Sequence, residues 1–199
     1  MNEPAKSRIF LILSLFLGLS VAACQGSPEE PPLAGARIGG PFTLVNQEGR
    51  QVSDRSFAGK YRIVYFGFAQ CPDICPTDLA SIGQAMRMLE KSDPALAAKV
   101  QPVFITVDPE RDTPETLKPY AAAFHPRIAA LTGTPRQVAD AAKAYAVYYA
   151  KEPTGGAGGY TMNHQRIIFL MDPQGKPIAM LPHENGAEGI VTELKRWVR

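Results

Sequence analysis

Apolar residues recur along this chain with two different periods, and the alternation between them predicts most of the elements. Phe42 to Val45 and Arg50 to Val52 flank Asn46-Gln-Glu-Gly49 as an N-terminal hairpin with a glycine-containing turn. Tyr61 to Phe68 and Val100 to Val107 are dense apolar runs with few polar breaks, as strands buried on both faces require. Between them Leu79, Ile82, Met86 and Leu89 recur at three- and four-residue spacing, so a helix runs from Pro76 to about Lys91.

Asp112 or Thr113 can cap a second helix, opened by Pro114 and Glu115, with Leu117, Tyr120 and Phe124 facing inward. A short strand over Arg127 to Leu131 precedes a helix from Pro135 through Val138, Ala142 and Tyr145. Lys151 to Gly159 holds four glycines and a proline and reads as a loop, its glycine-rich end free to move until His164 is fixed. Gln165 to Met171 and Pro177 to Leu181 form a hairpin around Asp172-Pro-Gln-Gly175, and a last helix carries Ile190, Leu194, Trp197 and Val198 on one face. No internal repeat is visible. Strand-helix alternation followed by a hairpin and a helix predicts an α/β sandwich with a mixed central sheet.

The first residues follow another pattern. Lys6 and Arg8 precede an almost unbroken apolar run, Ile9 to Val21, that ends in Ala22 and Ala23, the layout of a secretory signal over residues 1–23. The run is too short to span a bilayer comfortably, because about 20 apolar residues are needed. Val21-Ala22-Ala23-Cys24 resembles the bacterial lipobox, which implies acylation of Cys24 and attachment to a membrane surface. Residues 24–40, rich in proline and small residues, are then a flexible tether, and residues 41–199 the folded domain.

Composition adds little: 45% hydrophobic and 20% charged residues fit one soluble core. Loss of residues 1–23 removes Lys6, Arg8 and Glu3 and leaves 19 basic against 18 acidic side chains. No basic run interleaves with aromatics, so nucleic acid is not an expected partner.

Cysteine changes the picture. With Cys24 lipidated, the two remaining cysteines, Cys71 and Cys75, are four residues apart at the carboxyl end of a buried strand, where open α/β sheets place ligands. Near a helix start they share a face and can form a disulfide or a chelate. A disulfide closing so short a loop removes little unfolded-state entropy and would stabilise poorly. Structural zinc wants four ligands; two soft thiolates and one imidazole suit Cu(I) and can also serve Cu(II). Of the three histidines, His125 falls at a helix end and His183 in a polar turn, whereas His164 stands between the glycine-rich loop and a strand, in reach of the cysteine loop.

Tyr65-Phe-Gly-Phe-Ala-Gln-Cys71-Pro-Asp-Ile-Cys75-Pro-Thr, Val107-Asp-Pro-Glu-Arg-Asp-Thr-Pro114, Leu131-Thr-Gly-Thr-Pro135 and the His164 strand resemble the Sco/SenC family from about residue 40 onward. The resemblance implies a thioredoxin-like three-layer fold. It also implies one copper ion, Cu(I) or Cu(II), per chain on Cys71, Cys75 and His164. The function so implied is a membrane-anchored metallochaperone facing the bacterial periplasm that assembles the two-copper centre of cytochrome c oxidase. Implied partners are the copper-bearing oxidase subunit and another copper chaperone or a thioredoxin-like reductant.

The alternative is a thiol-disulfide reductase in which Cys71 and Cys75 are the redox-active, catalytic pair and keep the oxidase cysteines reduced; only the chaperone needs His164. A peroxidase lacks the Thr-x-x-Cys arrangement. This chain departs from the family in having Asn163 and Gln165 beside the histidine where the family has Asp and Ser or Thr, so a carboxylate partner for the imidazole is missing and a different copper affinity is expected. Asp108 to Pro114 is either an outer support of the metal site or only a strand exit and helix cap.

Overall fold

Strand pairing builds a mixed seven-stranded sheet with the spatial order β2-β1-β5-β4-β3-β8-β9 in a computed structural model that describes residues 29–155 and 159–199. The strands are β1 (Thr43–Asn46), β2 (Gln51–Ser53), β3 (Tyr61–Gly67), β4 (Val100–Thr106), β5 (Ala129–Thr132), β8 (Ile168–Met171) and β9 (Pro177–Leu181). β3, β4 and β5 are parallel, and β1 and β8 join the two sides antiparallel. β6 (Tyr149–Pro153) and β7 (Tyr160–His164) form a separate two-stranded sheet.

The helices are α1 (Ile74–Ser92), α2 (Pro94–Lys99), α3 (Pro114–Phe124), α4 (Pro135–Ala144) and α5 (Gly186–Trp197). Alternation along β3 sorts the layers, because successive side chains point to opposite faces. Tyr65 faces Phe104 and, through it, Tyr120 of α3, on the side where α1 packs against α3 and α5. Phe66 meets Tyr145, at the end of α4, which in turn meets Phe169. Two layers of helix thus cover a sheet whose central strands are buried on both faces, the predicted three-layer α/β arrangement.

Several local differences have identifiable causes. The run read as a loop over Lys151 to Gly159 begins inside a strand: β6 pairs with β7 from Tyr149↔His164 to Pro153↔Tyr160. Its Ala-Lys-Glu-Pro sequence hides the strand because the hairpin is solvent-exposed and lacks a strong apolar alternation. Residues 156–158 of the expected glycine loop lie outside the described residues. α1 opens two residues earlier than Pro76, which puts Cys75 in its first turn. Thr113 caps α3, its hydroxyl accepting the Thr116 N–H at 3.3 Å, and Asp112 instead accepts from Ala69 and Thr106.

Within the expected tether, Leu33 N–H donates to the Ile178 carbonyl and Gly39 N–H to the Ala144 carbonyl, each at 2.9 Å. The compact unit accordingly starts at Pro31, ten residues before the expected boundary. The expected signal segment and Cys24 lie outside the described residues. Among those described, no helix is long and apolar enough to cross a membrane.

Candidate metal centre

The cysteine loop begins where β3 runs out of pairing partners. Cys71 N–H donates to the Phe68 carbonyl at 3.2 Å, closing a tight turn after Gly67. Cys71 Sγ in turn accepts the Cys75 N–H at 3.4 Å. This sulfur therefore satisfies one of the amide donors that a helix N-terminus leaves unpaired, since Asp73 at the cap position makes no side-chain cap. Both cysteines are reduced; Cys71 is half-buried and Cys75 fully buried.

Gly67 makes room for the inner sulfur. A Cβ at this position would lie 2.9 Å from Cys75 Sγ and 3.1 Å from the rings of Phe104 and Tyr65. Below the loop, Asp112 is fully buried and accepts the Ala69 N–H at 3.0 Å and the Thr106 hydroxyl at 2.5 Å on one oxygen. Burial raises its pKa, and these two hydrogen bonds pull in the opposite direction. Asp112 thereby ties the β3 exit to the β4 exit and fixes the loop that carries Cys71.

His164 ends β7 and is buried against the edges of two rings, Phe68 at 5.8 Å and Tyr65 at 6.4 Å between centroids. Its Nδ1 lies 3.1 Å from the Gln165 carbonyl, which can only accept, so the proton is assigned to Nδ1 and the lone pair to Nε2. That lone pair faces Cys75 Sγ at 3.3 Å. Burial lowers the pKa of His164, against smaller opposing effects of the Gln165 carbonyl and the Asp78 charge, and keeps the imidazole neutral, the form that binds metals. Burial also pushes the Cys75 thiol well up. The contact is therefore an S–H donated to the Nε2 lone pair.

The ligand atoms of Cys71, Cys75 and His164 all lie within 4.8 Å of one another. These side chains would hold a metal ion, to which they would offer two soft sulfurs and one imidazole nitrogen. Theirs is the only such group of three among the described residues. His125 is buried against Glu90 at 3.3 Å, and His183 pairs with Glu184; both are outside it.

The hairpin carrying His164 is latched to the β4 exit. The Tyr160 hydroxyl donates to Asp108 at 2.8 Å, and Arg111 pairs with the same carboxylate while donating to the Tyr160 carbonyl at 3.0 Å. The Arg111 guanidinium and the Lys151 ammonium stand 3.8 and 3.9 Å from the Tyr160 ring centroid. The Asp108 to Pro114 run thus supports the site at both ends, through Asp108 on the histidine side and Asp112 on the cysteine side.

Asn163 does not act as expected. Its side chain is exposed and donates to Glu152 at 2.9 Å, on the strand face opposite His164, because neighbouring strand residues alternate. The imidazole takes its orientation from the Gln165 carbonyl and the two rings, so the departure from the family at this position does not reach the ring by contact.

Sequence reading missed Asp78 and Arg166, an ion pair beside the centre with Asp78 wholly buried. A signal was present: Asp78 interrupts the apolar stripe of α1 between Cys75 and Ile82, where a charge needs a partner.

The SCO1/SenC family model matches residues 30–199. The mitochondrial "Protein SCO1 homolog 1" of Arabidopsis thaliana is 36% identical over 174 residues, covering 85% of this chain but 51% of that protein, so the chain spans about half of this relative's length. The structure of "Bradyrhizobium japonicum ScoI with copper bound" superposes with a TM-score of 0.73 at 42% identity, over 80% of this chain and 99% of that one. BsSco, described as "a member of the Sco family of cytochrome c oxidase assembly proteins" in a study identifying a disulfide switch, superposes with a TM-score of 0.64 at 27% identity, over 84% and 95%. With a family match across the whole described unit and these relatives beside it, the chain belongs to the SCO1/SenC family.

Proposed function

We propose that this protein is a copper-binding chaperone that serves cytochrome c oxidase, holding one copper ion on Cys71, Cys75 and His164 and passing it to the copper-bearing subunit. The carrying observation is the convergence of two sulfurs and a neutral imidazole lone pair within 4.8 Å. Two thiolates and one imidazole make a soft donor set suited to Cu(I) and adequate for Cu(II), and too few ligands for structural zinc. The copper-bound Bradyrhizobium relative supports the choice of metal, and the description of BsSco supports the oxidase as recipient.

The geometry suggests a direction for transfer. Cys75 and His164 are buried, and Cys71 is the half-exposed ligand. Loading releases to solvent whatever thiol protons the two cysteines still hold, that of Cys75 among them, and an incoming donor from a partner meets copper on the Cys71 side, where the first protein bond is exchanged. Lipid attachment through Cys24, facing the periplasm, would hold the site near a membrane-bound recipient; the sequence layout of residues 1–24 supports this. A reductase working through Cys71 and Cys75 alone leaves the buried His164 without a role.

Maturation of the oxidase tests the proposal. In cells lacking this protein, the wild-type chain should restore the absorbance of the two-copper centre, and Cys71→Ser, Cys75→Ser and His164→Ala should each fail. Full restoration by His164→Ala would replace the chaperone reading with the reductase.

A further inference from the structure

The two buried ligands reach the centre from different parts of the fold. Cys75 rides on the first turn of α1, packed on the seven-stranded sheet, while His164 ends the separate β6-β7 hairpin. Residues 165–167 then cross from that hairpin to β8 outside any strand. On this crossing Gln165 bonds back to the residue before β6: its N–H donates to the Tyr148 carbonyl at 3.1 Å, and its side-chain oxygen accepts the Tyr148 N–H at 2.8 Å. Neither contact fixes the distance to α1.

Arg166 makes that connection. Its Nε donates to both oxygens of Asp78, at 3.2 and 2.9 Å, and its Nη2 donates to Oδ1 at 2.6 Å. Asp78 lies three residues beyond Cys75, on the same helix face, and Arg166 two residues beyond His164. A planar guanidinium gripping a carboxylate in this two-pronged way fixes orientation as well as distance. As a source of stability the pair is a poor choice, because a wholly buried carboxylate loses its hydration and an apolar pair of equal volume often does as well. The buried Tyr65 hydroxyl, which has no well-formed hydrogen bond of its own, stands beside Cys75 and Asp78 and completes the wall.

We propose that Asp78 and Arg166 are positioning residues, a clamp that sets the His164 imidazole against Cys75 before copper arrives. The inference rests on the copper-binding reading for its purpose but not for its geometry. Loss of the clamp frees the crossing segment, and the imidazole no longer waits in the ligand position. Cu(II), which depends more on nitrogen than Cu(I) does, then suffers the larger loss.

The test uses the full chain with reduced cysteines and two read-outs: the nitrogen-15 line of the His164 ring without metal, and Cu(I) and Cu(II) affinity by chelator competition. Arg166→Lys keeps the charge and loses the fork. It should broaden or split the ring signal and weaken Cu(II) binding about 10- to 100-fold, with a smaller effect on Cu(I). Val138→Ala, a cavity in α4 on the far side of the sheet, controls for general softening and should change neither.

A folded Arg166→Lys with wild-type ring signal and affinity would overturn the clamp, as would equal changes in Val138→Ala. Should Arg166→Lys fail to fold, Asp78→Asn, which removes the buried charge instead of stranding it, is read by the same two measurements. A wild-type chain that binds no copper would refute the function, while the ring signal of the variants would still decide the clamp.

Discussion

Cys75 Sγ and His164 Nε2 stand 3.3 Å apart although 89 residues separate them in the chain. Tautomer and burial together make this contact a protonated thiol facing an imidazole lone pair, so a metal must expel a proton to enter. Burial raises the Cys75 pKa and lowers that of His164, which leaves the imidazole ready and the thiol as the gate. Apparent copper affinity should rise about tenfold per pH unit for each proton released between roughly pH 6 and pH 8. Chelator competition across that range reads it directly, and a flat profile would show that Cys75 gives up no proton on binding.

Stability carries its own pH signature at His164. The folded pKa is depressed below the ordinary value, so the unfolded chain binds the proton first as pH falls. The His164 contribution is complete above about pH 6.5 and declines as pH drops below it, toward the folded value. Denaturant midpoints of wild type and His164→Gln should converge as pH falls from 7.5 to 5. Parallel curves would mean the imidazole is not held neutral.

Gly67→Ala introduces a Cβ that would stand 2.9 Å from Cys75 Sγ, with aromatic carbons of Phe104 and Tyr65 only slightly farther away. These neighbours belong to the packed core, so overpacking should cost about 1–3 kcal/mol. The larger effect falls on the metal, because the sulfur has to move. Thermal unfolding and the Cu(II)-thiolate absorption band measure the two parts; a variant that is less stable but spectrally unchanged would show that the sulfur does not yield.

Tyr160→Phe removes the hydroxyl that donates to Asp108 while keeping the ring between Arg111 and Lys151. The expected cost is about 1 kcal/mol, and it should appear locally, as faster amide exchange in β6 and β7 with β3 and β4 unchanged. Uniform acceleration over the whole sheet would mean the latch supports the fold as a unit.

The sheet, the helices that cover it and the three residues that converge at the candidate centre were legible in the sequence because each leaves a strong local mark. Tyr61 to Gly67 and Val100 to Thr106 are too apolar to be anything but buried strands, and Pro114 and Pro135 each open a helix behind a threonine cap. The β6-β7 hairpin left no such mark, since Lys151, Glu152 and Pro153 are exposed and carry no apolar alternation. Asn163 shows a different limit. Sequence adjacency to His164 suggests a partnership, yet strand alternation turns the two side chains apart. Asn163→Asp should therefore leave both Cu(I) and Cu(II) affinity within about twofold of wild type, well short of the 10- to 100-fold that a direct imidazole partner commands. A strong gain for Cu(II) would show that the charge reaches the ring without touching it.

The central claim is that Cys71, Cys75 and His164 bind copper as one unit, and copper titration of the full, reduced chain tests it most directly. One equivalent of Cu(I) should bind tightly to the wild-type chain. Cys71→Ala and Cys75→Ala should each abolish that tight binding, while His164→Ala should cost Cu(II) far more than Cu(I). Wild-type binding retained in either cysteine variant, or no binding by the wild-type chain at all, would contradict the account.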